Sequence, residues 1–247
     1  MEEHKEVDSA IEKFLKEVQD QGVKCIVFDM DKTLTSQHSG GSLQIEKLGP
    51  FVDSVSSVCK KLMPRLLDIG VKVAVATFSD DLYTSGLSGF PGADSGRISG
   101  LPLVANVLAS FLSPKIIKSI PVITLNPDLY PPLKSPSDPR QAYLQEKIKS
   151  IGNRHGMNGT QLLKVCNYYP PLSNKDHHLL ILKVLFGLDF KDVCLIDDAE
   201  DNVQAALNLR CTGVRVPQRQ GLKGSDLKLA LPSSSVYCAA PDHASSS

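Results

Sequence analysis

Two aspartates, Asp29 and Asp31, stand two residues apart directly after the apolar run of residues 23–28. Side chains at positions i and i+2 of a strand lie on the same face, so the two carboxylates are predicted to share one small volume. Two like charges roughly 4 Å apart repel by about 4 kcal/mol at an effective dielectric constant of about 20. Either one carboxyl group keeps its proton or a cation lies between them. Both solutions are typical of a functional site.

A second acidic cluster, Asp197 and Asp198, follows the apolar run of residues 193–196. In an open parallel sheet, ligands bind in the crevice beyond the carboxyl ends of the strands, so both clusters are expected to face one crevice. Several carboxylates around a crevice suit a hard divalent cation, and Mg2+ usually takes one or two of them with waters and substrate phosphate oxygens. The two clusters therefore predict a shared Mg2+ site.

The bulk composition excludes several classes of protein. The 247 residues suffice for one substantial core, and 27 basic and 27 acidic residues give a formal net charge of zero. This balance gives no support to a nucleic-acid or membrane-surface partner. No apolar stretch is long enough to span a bilayer, the N-terminus lacks a secretory signal, and the six cysteines are scattered. We therefore expect a cytoplasmic protein with reduced thiols.

The elements that position the acidic residues are predicted from apolar patterning. Short β-branched runs indicate strands, and apolar residues at helical spacing indicate helices between them. This alternation predicts an α/β fold, a Rossmann-like three-layer sandwich around a central parallel sheet with right-handed crossovers. The predicted strands are 23–28, 71–76, 120–125, 193–196 and 213–216, and the predicted helices are 8–21, 51–69 with a kink at Pro64, 101–112, 141–151, 174–186 and 202–209.

Four segments of the chain are distinguished by composition. Residues 1–22 form an N-terminal helix, and 23–217 form the main domain. Within it, 81–173 is rich in glycine and proline, which indicates either irregular loops or a small cap-like insertion. Residues 218–247 are rich in Ser, Gly, Ala and Pro and are predicted to be a poorly ordered tail.

The order of these parts over residues 23–216 resembles the haloacid dehalogenase-like (HAD) superfamily of phosphohydrolases. The resemblance depends on four short motifs, each at or near the carboxyl end of a strand or the start of a helix. They are Asp29-Met30-Asp31-Lys32-Thr33, Thr77, Lys175 and Asp197-Asp198. The resemblance implies a Mg2+-dependent phosphatase that hydrolyses phosphomonoesters, of small molecules or of phosphoproteins, through an aspartyl phosphate.

The resemblance also implies a role for each motif residue. Asp29 attacks phosphorus, and Asp31 first protonates the leaving oxygen and then deprotonates the hydrolytic water. Thr77 and Phe78 bind the substrate, with Thr77 donating to a phosphate oxygen. Lys175 binds both Asp29 and the phosphoryl group, and we prefer it to the other candidates of the same region, Lys164 and Lys183.

The implied metal ligands are Asp29, the backbone carbonyl of Asp31, and Asp198. The family form Gly-Asp-x-x-x-Asp aligns Asp198 with its first aspartate and Asn202 with its last, which favours Asp198 over Asp197 as the direct ligand. Water-mediated support is expected from Asp197, Asp201 or Asn202.

Two further patterns bear on the interpretation of the sequence. Asp31-Lys32-Thr33-Leu34-Thr35 also resembles the phosphorylation motif of P-type ion pumps, but those pumps need membrane spans that this sequence does not offer. His177 and His178 are expected to be exposed on a helix, and His38 lies in the loop that could approach the site.

Two alternative functions remain open from the sequence. The first is a catalytically silent phosphate- or metal-binding interaction protein of the same fold, because Lys32 replaces the glycine of many family members and Asn202 replaces a carboxylate. The second is a phosphotransferase, which would need a lid that excludes water. The oligomeric state and the physiological substrate are not predicted.

Overall fold

The computed structural model describes residues 2–87, 90–92, 95–130, 138–167, 174–217 and 220–232. The strands are β1 (Cys25–Phe28), β2 (Ser42–Gln44), β3 (Lys72–Thr77), β4 (Arg97–Ser99), β5 (Val122–Thr124), β6 (Val193–Asp197) and β7 (Thr212–Arg215). The helices are α1 (Glu2–Asp20), α2 (Leu48–Asp53), α3 (Ser57–Asp68), α4 (Gly100–Ala109), α5 (Pro114–Ser119), α6 (Pro139–Arg154), α7 (Gly159–Asn167), α8 (Asp176–Phe186) and α9 (Glu200–Asn208). Five strands form a parallel sheet in the order β5–β3–β1–β6–β7. The predicted α/β sandwich with a central parallel sheet is confirmed.

The layers follow from the alternation of side chains along each strand. In β1, Cys25 and Val27 pack into one apolar cluster, which includes residues of α6, α7 and α8. Ile26 and Phe28 pack into the other cluster, with α1, α3 and α4. Both faces of the strand are buried, as expected for a parallel sheet covered on both sides by helices.

The register of the sheet sets the positions of the acidic residues. Phe28 of β1 pairs with Ile196 of β6, and the Asp29 amide donates to the Ile196 carbonyl (2.9 Å). The next positions along the two neighbouring strands are therefore Asp29 and Asp197. Because the strands are parallel, both residues lie at the same edge of the sheet.

The prediction of one continuous helix over residues 51–69 is wrong, because α2 and α3 are separate helices. The Ser56 amide donates to the Leu34 carbonyl (2.8 Å), which ties the chain to the loop after β1. The Ser56 hydroxyl accepts from the Val58 amide (3.2 Å) and caps α3. The break thus lies before Ser57, and Pro64 lies inside α3.

The interval 81–173 differs from the predicted irregular or cap-like insertion. Its described residues supply β5, which extends the central sheet beyond β3, and α4, α6 and α7, which contribute to the two cores. Of the two described strands in this interval, β4 lies outside the central sheet and pairs antiparallel with β2 in a small two-stranded sheet. The described part of the interval is therefore mostly main domain.

The tail predicted over 218–247 is ordered in part. In residues 220–232, Leu222 and Leu227 are buried in the core, and the Leu222 amide donates to the Thr33 carbonyl (2.9 Å). The prediction is therefore wrong for this segment, because two leucines in a polar context suffice to dock it. Residues 233–247 lie outside the described part of the chain.

The N-terminal helix packs on the core of the same domain. Ile11, Phe14 and Val18 of α1 are completely buried, and Lys61 of α3 forms an ion pair with Asp8 (2.9 Å). The predicted helix is confirmed, and its apolar face is covered by this chain. Among the described helices, none has the length and apolar character needed to cross a membrane.

Candidate active site and metal centre

Asp29 and Asp197 are joined by a buried lysine. The Lys175 ammonium contacts Asp29 Oδ1 and lies 2.9 Å from Asp197 Oδ2. It also donates to the Ala76 carbonyl of β3 (2.7 Å), and its side chain has no solvent exposure. The predicted convergence of the two acidic strand ends is therefore confirmed, with one ammonium between them.

The position of Lys175 follows from the start of α8. Lys175 is the residue before the first turn of the helix, and the Asn174 side chain accepts from the Asp176 amide (3.0 Å). The two rival lysines lie elsewhere: Lys183 packs its ammonium over the Phe190 ring (4.5 Å), and Lys164 is exposed on α7.

Asp198 completes a cluster of three carboxylates. One oxygen each of Asp29, Asp197 and Asp198 lie within 4.8 Å of one another. Asp197 is completely buried and accepts from the Ala199 amide (2.8 Å) and from the Asn202 side chain (3.1 Å). Asp198 is half-buried and lines the adjoining cavity. This arrangement supports the preference for Asp198 as the residue that faces a ligand.

The electrostatics of the cluster favour a cation. Burial raises the pKa of Asp29 well above its ordinary value, and although Lys175 opposes the shift, Asp197 and Asp31 add to it. Burial opposes the charged form of Lys175, but Asp197 and Asp29 outweigh it and raise its pKa. Two buried carboxylates share one ammonium, which leaves an excess of negative charge. A cluster of carboxylate oxygens with this charge fits a hard divalent cation.

Asp31 lies beyond the end of β1 and lines the same cavity as Asp29. The chain leaves β1 at Asp29 and turns over residues 30–34, where Asp31 is extended (φ −70°, ψ 127°) and Lys32 is left-handed (φ +60°). The Asp31 carboxylate accepts from the Ser39 amide (2.9 Å) and hydroxyl (2.7 Å). His38 Nδ1 lies 3.1 Å from Asp31 Oδ2, and this contact raises the pKa of His38. Sequence reasoning missed Ser39, because a serine eight residues downstream gives no periodic signal.

Thr77 and Phe78, which the sequence predicts to contact substrate, both line the cavity. The Thr77 hydroxyl accepts from the Ser79 amide (3.1 Å), so its proton can be donated into the cavity. The Phe78 ring lies under the Lys175 ammonium, 5.3 Å from the ring centroid. Both residues thus border the same charged group as Asp29.

A buried ion pair fixes the loop that follows Thr77. Asp80 is completely buried, forms an ion pair with Lys147 of α6 (2.5 Å) and accepts from the Tyr130 hydroxyl (2.9 Å). Lys147 also lies 3.0 Å from Asp81. The loop at the end of β3 is therefore held rigidly against α6.

The cavity above the carboxylates has a volume of about 470 Å³. Its mouth is formed by the loop after β1 and by residues that the sequence did not single out, Tyr83 and Asn126. The Asn126 side-chain amide donates to the Tyr83 hydroxyl (3.0 Å). Gly41 has φ +84°, and a Cβ there would lie 2.5 Å from the Tyr83 ring. The mouth therefore depends on a glycine for its close packing.

His178 was predicted to be exposed, and this prediction is wrong. It is completely buried, and its ring contacts Phe78 edge to face at 5.5 Å. Its Nε2 lies 3.3 Å from the Thr77 carbonyl, and its Nδ1 has no hydrogen-bond partner among the described residues. The helix starts against the strand ends, which buries the first turn that the sequence pattern assigned to solvent.

We expect His178 to make the protein less stable in mild acid. Burial, and then the Lys175 ammonium, lower the pKa of His178 well below 6.5, whereas the unfolded chain protonates near 6.5. His178 therefore leaves the free energy of unfolding unchanged above pH 6.5 and lowers it below pH 6.5, by up to about 1.4 kcal/mol per pH unit. Denaturant unfolding of wild type and His178→Gln between pH 5 and 8 should give a flatter profile for the variant. Parallel profiles would contradict the expectation.

Comparisons of the chain with protein-family models, with curated proteins and with solved structures give no match. A functional assignment therefore depends on the residues of the site itself.

Proposed function

We propose that this protein is a Mg2+-dependent phosphatase of the HAD type that hydrolyses phosphomonoesters through an aspartyl phosphate on Asp29. The observation that carries the proposal is the position of the Asp29 carboxylate. It lies at the floor of a cavity, in contact with the Lys175 ammonium and within 4.8 Å of Asp197 and Asp198. A carboxylate nucleophile, a buried cation and a metal-type oxygen cluster are the parts that phosphoryl transfer requires.

In the first step, an Asp29 oxygen attacks phosphorus and the bond from phosphorus to the ester oxygen breaks. Asp31 gives its proton to the leaving oxygen, which departs as the alcohol. The contacts from Ser39 and His38 orient the Asp31 carboxyl group for this transfer. Lys175 holds Asp29 in place, and Thr77 donates to a non-bridging phosphate oxygen.

In the second step, water attacks phosphorus of the aspartyl phosphate and the acyl-phosphate bond breaks. Asp31, now ionised, takes the proton of the attacking water, and the Asp29 carboxylate and inorganic phosphate are regenerated. The cavity remains wide enough for water to enter after the alcohol has left. This openness favours hydrolysis over transfer to a second alcohol.

The metal would be held by Asp29 and Asp198, with the backbone carbonyl of Asp31, and supported by Asp197 and Asn202. Asp197 already accepts hydrogen bonds from Asn202 and Ala199 and forms an ion pair with Lys175. Its role is therefore to hold the carboxylate cluster in place. A bound Mg2+ supplies neutralisation of the charge on the phosphoryl oxygens.

The substrate class is a phosphomonoester of a small molecule or of a phosphoprotein. The two-stranded sheet of β2 and β4 contributes no second domain over the cavity in the described part of the chain.

For the compartment we propose the cytosol. The five cysteines within the described ranges are buried free thiols, and burial raises the pKa of Cys25, Cys59, Cys166 and Cys194 to about 12.

Hydrolysis of p-nitrophenyl phosphate and of a panel of phosphomonoesters tests the proposal. Turnover is expected with Mg2+, is expected to vanish in excess EDTA, and should return when Mg2+ is restored. Borohydride reduction during turnover should convert Asp29 to homoserine, which mass spectrometry detects. Turnover that persists in EDTA would contradict the metal requirement. Tight binding of Mg2+ and beryllofluoride without turnover of any ester would favour the silent binding protein.

A further inference from the structure

Lys32 has an unusual backbone conformation at the mouth of the cavity. Its φ is +60° and its ψ is 2°, in the left-handed region that glycine adopts freely and that other L-residues adopt at a cost in free energy. The conformation is fixed from both sides. The Lys32 amide donates to the Gln37 carbonyl (3.1 Å), and the Lys32 carbonyl accepts from the Gly221 amide (2.9 Å). A glycine would satisfy these contacts without strain, so the lysine side chain itself needs an explanation.

The other polar side chains of the mouth have partners. Tyr83 and Asn126 bond to each other, and His38 is paired with Asp31. Lys32 lines the same cavity but forms no ion pair with any residue in the described ranges. A cation is therefore directed toward the mouth.

We propose that Lys32 is a specificity residue that recognises a second anionic group on the alcohol portion of the substrate. This inference rests on the proposed phosphatase function. Lys32 directly follows Asp31, the group proposed to protonate the leaving oxygen, and both residues line the cavity. An anionic substituent close to the ester oxygen, such as a carboxylate, would pair with the Lys32 ammonium. The preferred substrates are thus phosphomonoesters of small anionic alcohols.

A matched pair of substrates tests the charge alone. Phosphoglycolate carries a carboxylate two bonds from the ester oxygen, and its amide analogue, carbamoylmethyl phosphate, has nearly the same shape without the charge. Wild-type kcat/KM should favour phosphoglycolate, chiefly through KM. The preference should fall about fivefold in Lys32→Gly and Lys32→Asn, as expected for one partly exposed ion pair, and should persist in Lys32→Arg.

A stability measurement separates recognition from a structural role. Lys32→Gly relieves the positive φ, so its thermal midpoint should equal or exceed that of wild type. A lower midpoint with an unchanged substrate preference would show a purely structural lysine and would overturn the inference, as would a wild type that does not distinguish the two compounds. If neither compound is hydrolysed, the proposed function fails. Calorimetric titration of wild type with both compounds then tests the inference independently of turnover, because equal dissociation constants would overturn it.

Discussion

Replacement of Asp29 by asparagine is expected to lower kcat for phosphomonoester hydrolysis by at least about 10⁴-fold, because it removes the proposed nucleophile that forms the acyl phosphate. The amide nitrogen is not nucleophilic, and the remaining amide oxygen is a weak nucleophile. Lys175 keeps its contacts with Asp197 and Ala76, so the geometry of the site should survive. The measurement is steady-state kinetics with p-nitrophenyl phosphate and Mg2+.

The Asp29→Asn protein should lose activity without losing stability. Asp29 is a buried carboxyl group whose pKa is raised by burial and by Asp197 and Asp31, against the effect of Lys175. A neutral amide of the same shape removes part of the excess negative charge. We therefore expect a free energy of unfolding, without divalent cation, that is equal to or above that of wild type.

A matched control shows that the loss is specific to the site. Asp68→Asn makes the same chemical change on an exposed residue at the end of α3 and should leave both kcat and stability within error of wild type. If Asp29→Asn retains more than a tenth of wild-type turnover while Asp68→Asn is normal, Asp29 is not the nucleophile. An unfolded Asp29→Asn protein would contradict the electrostatic argument instead.

The sequence predicted the parts of the fold that depend on local patterning. The apolar runs before Asp29 and Asp197 predicted two central strands, and the parallel order of the sheet followed from the helices between the strands. These features also bring the two acidic residues together. Strand ends in a parallel sheet share one edge, so the element order predicted that both clusters face that edge. Their direct contact follows from the pairing of β1 with β6.

The misses share a cause, which is a contact between residues far apart in the chain. The helix predicted over 51–69 is interrupted before Ser57, where the Ser56 amide bonds to the distant Leu34 carbonyl while the Ser56 hydroxyl caps α3. Leu222 was assigned to a poorly ordered tail because its neighbours are polar, but it docks on the loop after β1. His178 was assigned to solvent because the strand ends that cover it are a hundred residues away along the chain.

Replacement of Lys175 by methionine is expected to destabilise the metal-free protein by about 3–5 kcal/mol, the usual cost of removing one partner of a buried ion pair. Methionine is similar in volume, so packing is largely preserved and the loss is electrostatic. Asp29 and Asp197, both buried, would then face each other with no ammonium between them. For a domain of this size, the thermal midpoint should fall by roughly 10 °C.

Lys164→Met supplies the matched control. Lys164 is an exposed lysine, and its replacement should change the free energy of unfolding by less than about 0.5 kcal/mol. The double variant Lys175→Met/Asp197→Asn should recover a large part of the loss, because it removes one of the two carboxylates that the lysine neutralises. Chemical denaturation of wild type, Lys175→Met, Asp197→Asn and the double variant, all without divalent cation, gives the coupling energy between positions 175 and 197.

The pH dependence of the same cycle identifies the charge state of the cluster. Below its raised pKa Asp29 is neutral and does not need the ammonium, so the stability deficit of Lys175→Met should shrink as the pH falls from 8 to 5. Added Mg2+ should shrink it as well, because a bound cation replaces the missing charge. A variant as stable as wild type at pH 8 would mean that Asp29 and Asp197 share protons rather than a lysine charge. Asp29 would then lack the ionised form that attack on phosphorus requires.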